Sequence, residues 1–502
     1  MSTSGVGVGS LPSGLREHAE RQLLGSGLTL ADAVELLTGS VLPDGPANGP
    51  RAALTAGWHS ADTDPGAHHP GARTGVAPPA PGGVPAPTQP AAGGLMSVEL
   101  YDLGQRLRAG LAGRPVARSS HALALPPVRP IAVAVDITGP TPTVTATDAL
   151  TSCTGRGPGA LAALAQVYGP LSDDHRSLVV PDRATLRALV ELARASAVGG
   201  PDEAIAEVLD WWQTRSEHPG SGAVLVLTEA CRARWTLGVA PAEERRFTVW
   251  RTWLGLAATD PRAPGTSGML PGAGLVTAGV TLPGLDTAAQ QDTEAWMALR
   301  SRAGTPASWR TWRSRDSRAR AALGLATRSD AVDLLTSYAL DDPRIAAREA
   351  FTGNVVHAVL TAVPEPGVIE AHADRLICRL RPGADLTVTW DPQPALPGAP
   401  TASGAAGSTT QTVSAVLTAS SITGDGRLLL VLTGAPRTVA RLSPGDLLTV
   451  RAARITAAGQ VNSRRTLSAR YRHRRNWLAA GVAPAVTRRS VPLDVIVAAA
   501  EN

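Results

Sequence analysis

Ala358-Val-Leu-Thr-Ala362 recurs as Ala415-Val-Leu-Thr-Ala419, and Arg379-Leu-Arg-Pro-Gly-Ala-Asp-Leu-Thr-Val388 recurs as Arg441-Leu-Ser-Pro-Gly-Asp-Leu-Leu-Thr-Val450. The two matches are offset by 57 and 62 positions, so order and approximate spacing are both kept. Each unit reads as strand, turn, strand, then a Pro-Gly corner into another β-rich strand. Proline presets φ at such a corner and glycine supplies the positive φ that completes it. A Pro/Gly/Ala/Ser-rich stretch, 391–411, separates the units. The pattern fits two small β modules, 351–390 and 412–460, or two halves of one barrel.

The Pro-Gly corner leading into an alternating strand resembles small barrels of the OB or SH3-like kind, over about ten residues per unit. That resemblance implies tandem β-barrel-like modules in this part of the chain. Upstream, residues 156–350 read as a mainly helical domain rich in tryptophan. Its helices are expected at 159–168, 182–197, 202–216, 242–258, 287–302 and 306–326, with Pro201, Pro241 and Pro306 at first-turn positions. Val224–Leu227 reads as a buried strand, and 265–284 as a glycine-rich loop. Eight of the 11 tryptophans fall between Trp211 and Trp312, where core packing explains them.

Residues 95–155 mix a helix (98–111) with strand-like segments at 131–137 and 143–147. Residues 43–94 contain 11 Pro and 10 Gly without apolar periodicity, the composition of a disordered linker. Residues 1–42 form a short helical segment capped at Thr29, and 461–502 a basic C-terminal tail. Asp32–Asp44 echoes Asp330–Asp342 at 8 of 13 positions, as two amphipathic helices or a duplicated docking helix do. The fold class is therefore α+β: a central mainly helical domain followed by C-terminal β-barrel-like modules.

The 502 residues include no lysine, so all 47 Lys+Arg positions are arginine. Such a composition belongs to a very GC-rich bacterial genome. It excludes P-loop, pyridoxal-phosphate and kinase chemistry, each of which needs a lysine. Cys153, Cys231 and Cys378 are too scattered for a disulfide set or a thiolate metal site. With neither a secretory leader nor a spanning apolar run, the sequence predicts a cytoplasmic protein that does not enter membranes.

Charge is segregated. Positions 300–328 carry eight arginines and one acid, and 451–492 carry ten arginines and no acid, leaving the rest of the chain net acidic. In the first stretch Arg310 and Arg313 accompany Trp309 and Trp312. In the second, Arg464 and Arg465 precede Arg470-Tyr471-Arg472-His473-Arg474-Arg475-Asn476-Trp477. Guanidinium groups bind phosphate bidentately, and tyrosine and tryptophan stack on bases. These residues are the candidate nucleic-acid contacts, for DNA or RNA alike. A solvated basic face, or a patch docking the acidic remainder, accounts for the same charges.

Enzyme signatures are weak, and no catalytic, cofactor or metal residues are expected. Glu370-Ala-His372-Ala-Asp374 places three ligand types on one strand face, Cys231 lies beside Arg232 and Arg234, and Asp173-Asp174-His175 pairs carboxylates with an imidazole. Each also fits surface, core or cap positions. The expected function is non-enzymatic nucleic-acid binding. A structural or assembly protein that uses the repeated β units for protein contacts or self-association is the alternative, and an enzyme in the helical domain a more distant one.

Overall fold

The computed structural model describes residues 11–24, 29–31, 33–34, 97–195, 203–256, 265–301, 318–390 and 411–454. The expected linker 43–94, the stretch 391–410, the tail beyond 454, and Arg310 and Arg313 lie outside them. Described residues up to 301 and from 334 to 454 belong to one compact unit; residues 318–333 belong to a second.

The first unit opens with α1 (Ser13–Leu23), which buries Leu15, Ala19 and Leu23. These pack on Leu103 and Leu107 of α2 (Val98–Ala112). Ser97 caps α2 through the Leu100 N–H, and Gly113 ends it in the left-handed conformation. A two-residue strand, β1 (Val116–Ala117), follows.

The chain then builds a five-stranded sheet. Its strands are β2 (Ile131–Asp136), β3 (Thr143–Thr147), β4 (Ser152–Arg156), β5 (Leu178–Val180) and β6 (Val224–Val226), in the order β4-β3-β2-β5-β6. β2, β5 and β6 run parallel, and β3 and β4 return antiparallel. Helices α3 (Ala160–Tyr168), α4 (Arg183–Ala195) and α5 (Glu203–Ser216) pack against these strands. The core holding Ala132, Val179 and Leu225 is completed by α6 (Leu227–Arg234), α7 (Phe247–Trp253) and α8 (Met269–Thr277). β7 (Trp235–Thr236) pairs with β1, and α9 (Leu285–Arg300) packs on α5.

The described part of 156–350 is mainly helical, as expected, but its short strands β5 and β6 join a sheet with the segments at 131–147. β6 falls on the buried strand expected at 224–227, whereas β5 escapes sequence reading, and both lack the usual strand signal for one physical reason. Each is three residues long and buried throughout, so neither shows the period-two alternation of a half-exposed strand. The glycine-rich 265–284 holds α8 because its apolar residues are packed: Met269, Ala273 and Val276 are buried beside Phe247 and Leu256.

Helix α10 (Arg318–Ala339) crosses from the second unit into the first, where Asp342 caps α11 (Pro343–Glu349) through the Arg344 and Ile345 N–H groups. There follow β8 (Val355–Ala362), β9 (Val368–Ala373), β10 (Asp385–Trp390), β11 (Gln411–Ile422), β12 (Leu428–Gly434), a helical turn α12 (Pro436–Val439) and β13 (Leu447–Ala452). The six strands close into one antiparallel barrel in the order β10-β11-β12-β9-β8-β13. The expectation of tandem modules is corrected: each repeat supplies three strands, too few to close a barrel, and the two sets interleave.

The two halves are related strand by strand. β8 matches β11 and β10 matches β13 at the offsets seen in the sequence. Both first strands break register at the same place, between Leu360 and Ala362 in β8 and between Leu417 and Ala419 in β11. The Pro-Gly corners cross over to those irregularities. The Gly383 N–H donates to the Leu417 carbonyl at 2.7 Å, and the Gly445 N–H donates to the Leu360 carbonyl at 2.8 Å. Inside, Leu360, Leu386, Val388, Leu417, Leu430 and Leu432 fill the barrel, with Trp390 and Leu448 among them.

Gly383 (φ 82°) and Gly445 (φ 96°) occupy the left-handed region, and a Cβ at either would meet nothing within 4 Å. Alanine at each therefore costs conformational energy alone, about 1–2 kcal/mol, and the two costs should match. Leu430→Ala should cost about 2–5 kcal/mol. Urea midpoints test this; unchanged midpoints for both glycine variants would remove the corner from the account.

Candidate functional site

Among the described residues the buried arginines, Arg106, Arg215 and Arg451, each pair with a carboxylate. Arg106 on α2 donates to Glu244 Oε1 and Oε2 at 2.6 and 2.9 Å, and to the Val239 carbonyl at 3.1 Å. The Leu237 N–H donates to the same carboxylate at 3.1 Å, and both side chains are buried. Arg215 on α5 meets Asp292 on α9 at 2.6 Å, and Asp292 also accepts from Ser221 Oγ and the Gly222 N–H. Arg348 takes Asp102 with two bonds of 3.0 Å, and Arg176 takes Asp148 at 2.7 Å. Extra bonds satisfy Glu244 and Asp292, as a buried ion pair requires, while Arg215 keeps its Nη2 buried without a hydrogen-bond partner.

The arginine-rich stretches begin the same way. Arg300 pairs with Asp173. At the end of the barrel Asp341 presents one carboxylate oxygen to Arg451 and the other to Arg454. The guanidinium of Arg454 stands 5.7 Å from the ring centre of Tyr338. Arg451 is nearly buried, while half of the Arg454 side chain (51%) faces solvent. The acid-free run of 451–492 is thus opened by two arginines whose acid comes from a distant part of the chain.

The remaining candidates, Arg464, Arg465, Arg470, Tyr471, Arg472, Arg474, Arg475, Trp477, Arg310 and Arg313, lie outside the described residues. Sequence reading did not find Asp341 and Tyr338, because they sit far from the arginines they hold.

The other chemistry-bearing groups take structural roles. Cys231 is wholly buried in the core beside Trp250, and burial pushes its thiol up rather than down, against a nucleophilic role. His175 packs on Trp211 and Trp296, with ring centres 5.3 and 6.5 Å away. Burial lowers its pKa, with Arg129 and Arg215 adding to the effect against Asp292 and Asp174. Glu370 and His372 are half-buried on one side of β9, and Asp374 lies beside Arg375. No group of three or more metal-ligating side chains occurs among the described residues.

One crevice of about 170 Å³ lies along β6. Arg183, Ser216, His218, Val226 and Glu229 line it. Arg183 and Glu229 close on each other with bonds of 2.8 and 2.9 Å, and Arg183 also donates to the Ser216 hydroxyl. Among described residues no helix is long and apolar enough to cross a membrane. Compared with family models, curated proteins and solved structures, the chain finds no match.

Glu244→Leu should destabilise the protein by about 3–5 kcal/mol, because it strands a buried guanidinium; thermal or urea unfolding would show it. In native protein, Cys153 and Cys378 should react with a thiol reagent while Cys231 reacts only on unfolding. His18 on α1 is held below its ordinary value near 6.5 by burial and by Arg106 and Arg21, against Glu244. The undocked helix therefore takes up the proton more readily, and α1 docking is strongest above pH 6.5 and weakens as pH falls below it. Hydrogen exchange in 13–23, corrected for intrinsic rates, should be less protected at pH 5.5 than at 7.5; equal protection contradicts this.

Proposed function

We propose that the protein binds nucleic acid without catalysing a reaction, through phosphate contacts from Arg464, Arg465, Arg470, Arg472, Arg474 and Arg475 and stacking by Tyr471 and Trp477. One observation carries the reading. Each buried arginine among the described residues, Arg106, Arg215 and Arg451, is matched to a carboxylate, whereas 455–493 holds eight arginines and no acid. A run of cations with no acid of its own is a strong candidate for phosphate contacts. The barrel supports the reading in a lesser way. OB-type barrels use outer strand faces for oligonucleotides, and the outer positions here include Thr387, Thr389, Thr412 and Ser414, hydroxyls that can donate to phosphate oxygens. Arg310 and Arg313 would extend the same surface. A cytoplasmic setting suits three cysteines that are all free thiols.

The test is a titration of fluorescent DNA and RNA against the full chain and a variant with the six arginines changed to glutamine, across a salt series. Six phosphate contacts predict a log–log salt slope of about −4 to −5, lost almost entirely in the variant. Absent affinity, or affinity that the substitutions leave unchanged, overturns the reading. If sedimentation then depends on concentration, the assembly alternative takes its place.

A further inference from the structure

Resting on that reading, we propose that Arg454 and Tyr338 belong to the nucleic-acid site, and that Asp341 occupies Arg454 until a phosphate takes its place. The argument starts from the side chains. Arg451 and Arg454 stand at and just past the end of β13, where the described chain leads into the acid-free arginine run. Asp341 follows α10 and offers each guanidinium one oxygen, an arrangement a phosphate group can reproduce with two of its own oxygens.

The two arginines differ in access. Arg451 is nearly buried and pairs across the barrel wall with β8 and β10, so it anchors Asp341. Arg454 is half exposed. Its guanidinium stands over Tyr338, held from one side by a carboxylate and from another by a π face. A planar cation beside an aromatic ring, with part of its surface in solvent, is the pairing that receives a base and its phosphate together. No nearby residue along the sequence would announce this group, because it is assembled from the end of α10, the turn after it and the end of the barrel.

The roles separate experimentally. Full-length wild type and the variants Arg454→Gln, Tyr338→Leu, Asp341→Asn and Asp341→Asn/Arg454→Gln are titrated with a single-stranded oligonucleotide and its duplex at salt between about 50 and 200 mM. Arg454→Gln removes one ionic contact, so its salt slope should be shallower by about 0.7–0.9, and it should lose about threefold less affinity than wild type over that range. Tyr338→Leu should weaken single-strand binding about fivefold or more with the slope unchanged, and leave duplex binding as it was. Asp341→Asn should bind about threefold more tightly at the low-salt end, and adding Arg454→Gln should cancel that gain.

Wild type that binds, with all four variants matching it, overturns this inference and leaves the underlying reading standing. A gain in Asp341→Asn that survives Arg454→Gln also overturns it. Wild type that does not bind overturns both. Melting curves accompany each variant; should Asp341→Asn unfold, the separate slope and single-strand effects of Arg454→Gln and Tyr338→Leu still decide the matter.

Discussion

Gly383 donates its N–H to a carbonyl in the opposite half of the barrel, and Gly445 returns the same bond from the other side. Each half contains a hairpin (β8–β9 or β11–β12) and a third strand (β10 or β13) that pairs with neither of its members. The outer edges of each hairpin and both edges of each third strand are satisfied only by the other half. The irregularities at Leu360/Ala362 and Leu417/Ala419 bend the first strand of each repeat, and the Pro-Gly corner of the opposite repeat fills the gap left in the ladder. Closure in turn makes an interior that aliphatic side chains fill. It also fixes the end of β13, and with it the point from which the arginine-rich segment departs.

The second constraint is electrostatic. A chain with no lysine has only guanidiniums as its permanent cations, and these cannot shed charge on burial as a lysine can. Within the folded unit the solution is pairing. Glu244, Asp292, Asp102 and Asp341 each take one or two arginines, and backbone N–H groups supply further donors to Glu244 and Asp292. Those four carboxylates are therefore structural. They lock α2 to the turn before α7, α5 to α9, and the end of the barrel to the turn after α10.

Legibility in the sequence followed the range of the interaction. The barrel strands β8, β10, β11 and β13 could be read because their repeats preserve alternation and the Pro-Gly corners. That the repeats close on each other could not, since two separate modules and two interlocked halves share one local pattern. β5 was hidden because a strand buried on both faces loses its period, and β6 could be read at 224–227 only as a short apolar run. The ion pairs were unreadable, as Arg106 and Glu244 are 138 residues apart and Arg215 and Asp292 are 77 apart. Acids are absent along 451–492, yet Arg451 and Arg454 in it are matched by Asp341. Neighbourhood in sequence is a poor measure of neutralisation once the chain has folded.

The central claim is a division of labour: paired arginines hold the fold, and those from 464 onward meet phosphate. Hydrogen exchange on the full chain, with and without a saturating single-stranded oligonucleotide, tests it most directly. The account predicts new protection across 464–477, reaching into the folded unit only around 451–454 and Tyr338, while the locks at Glu244 and Asp292 stay unchanged. Protection centred on the α/β sheet or the crevice along β6, with 464–477 exchanging as in the free protein, would contradict it.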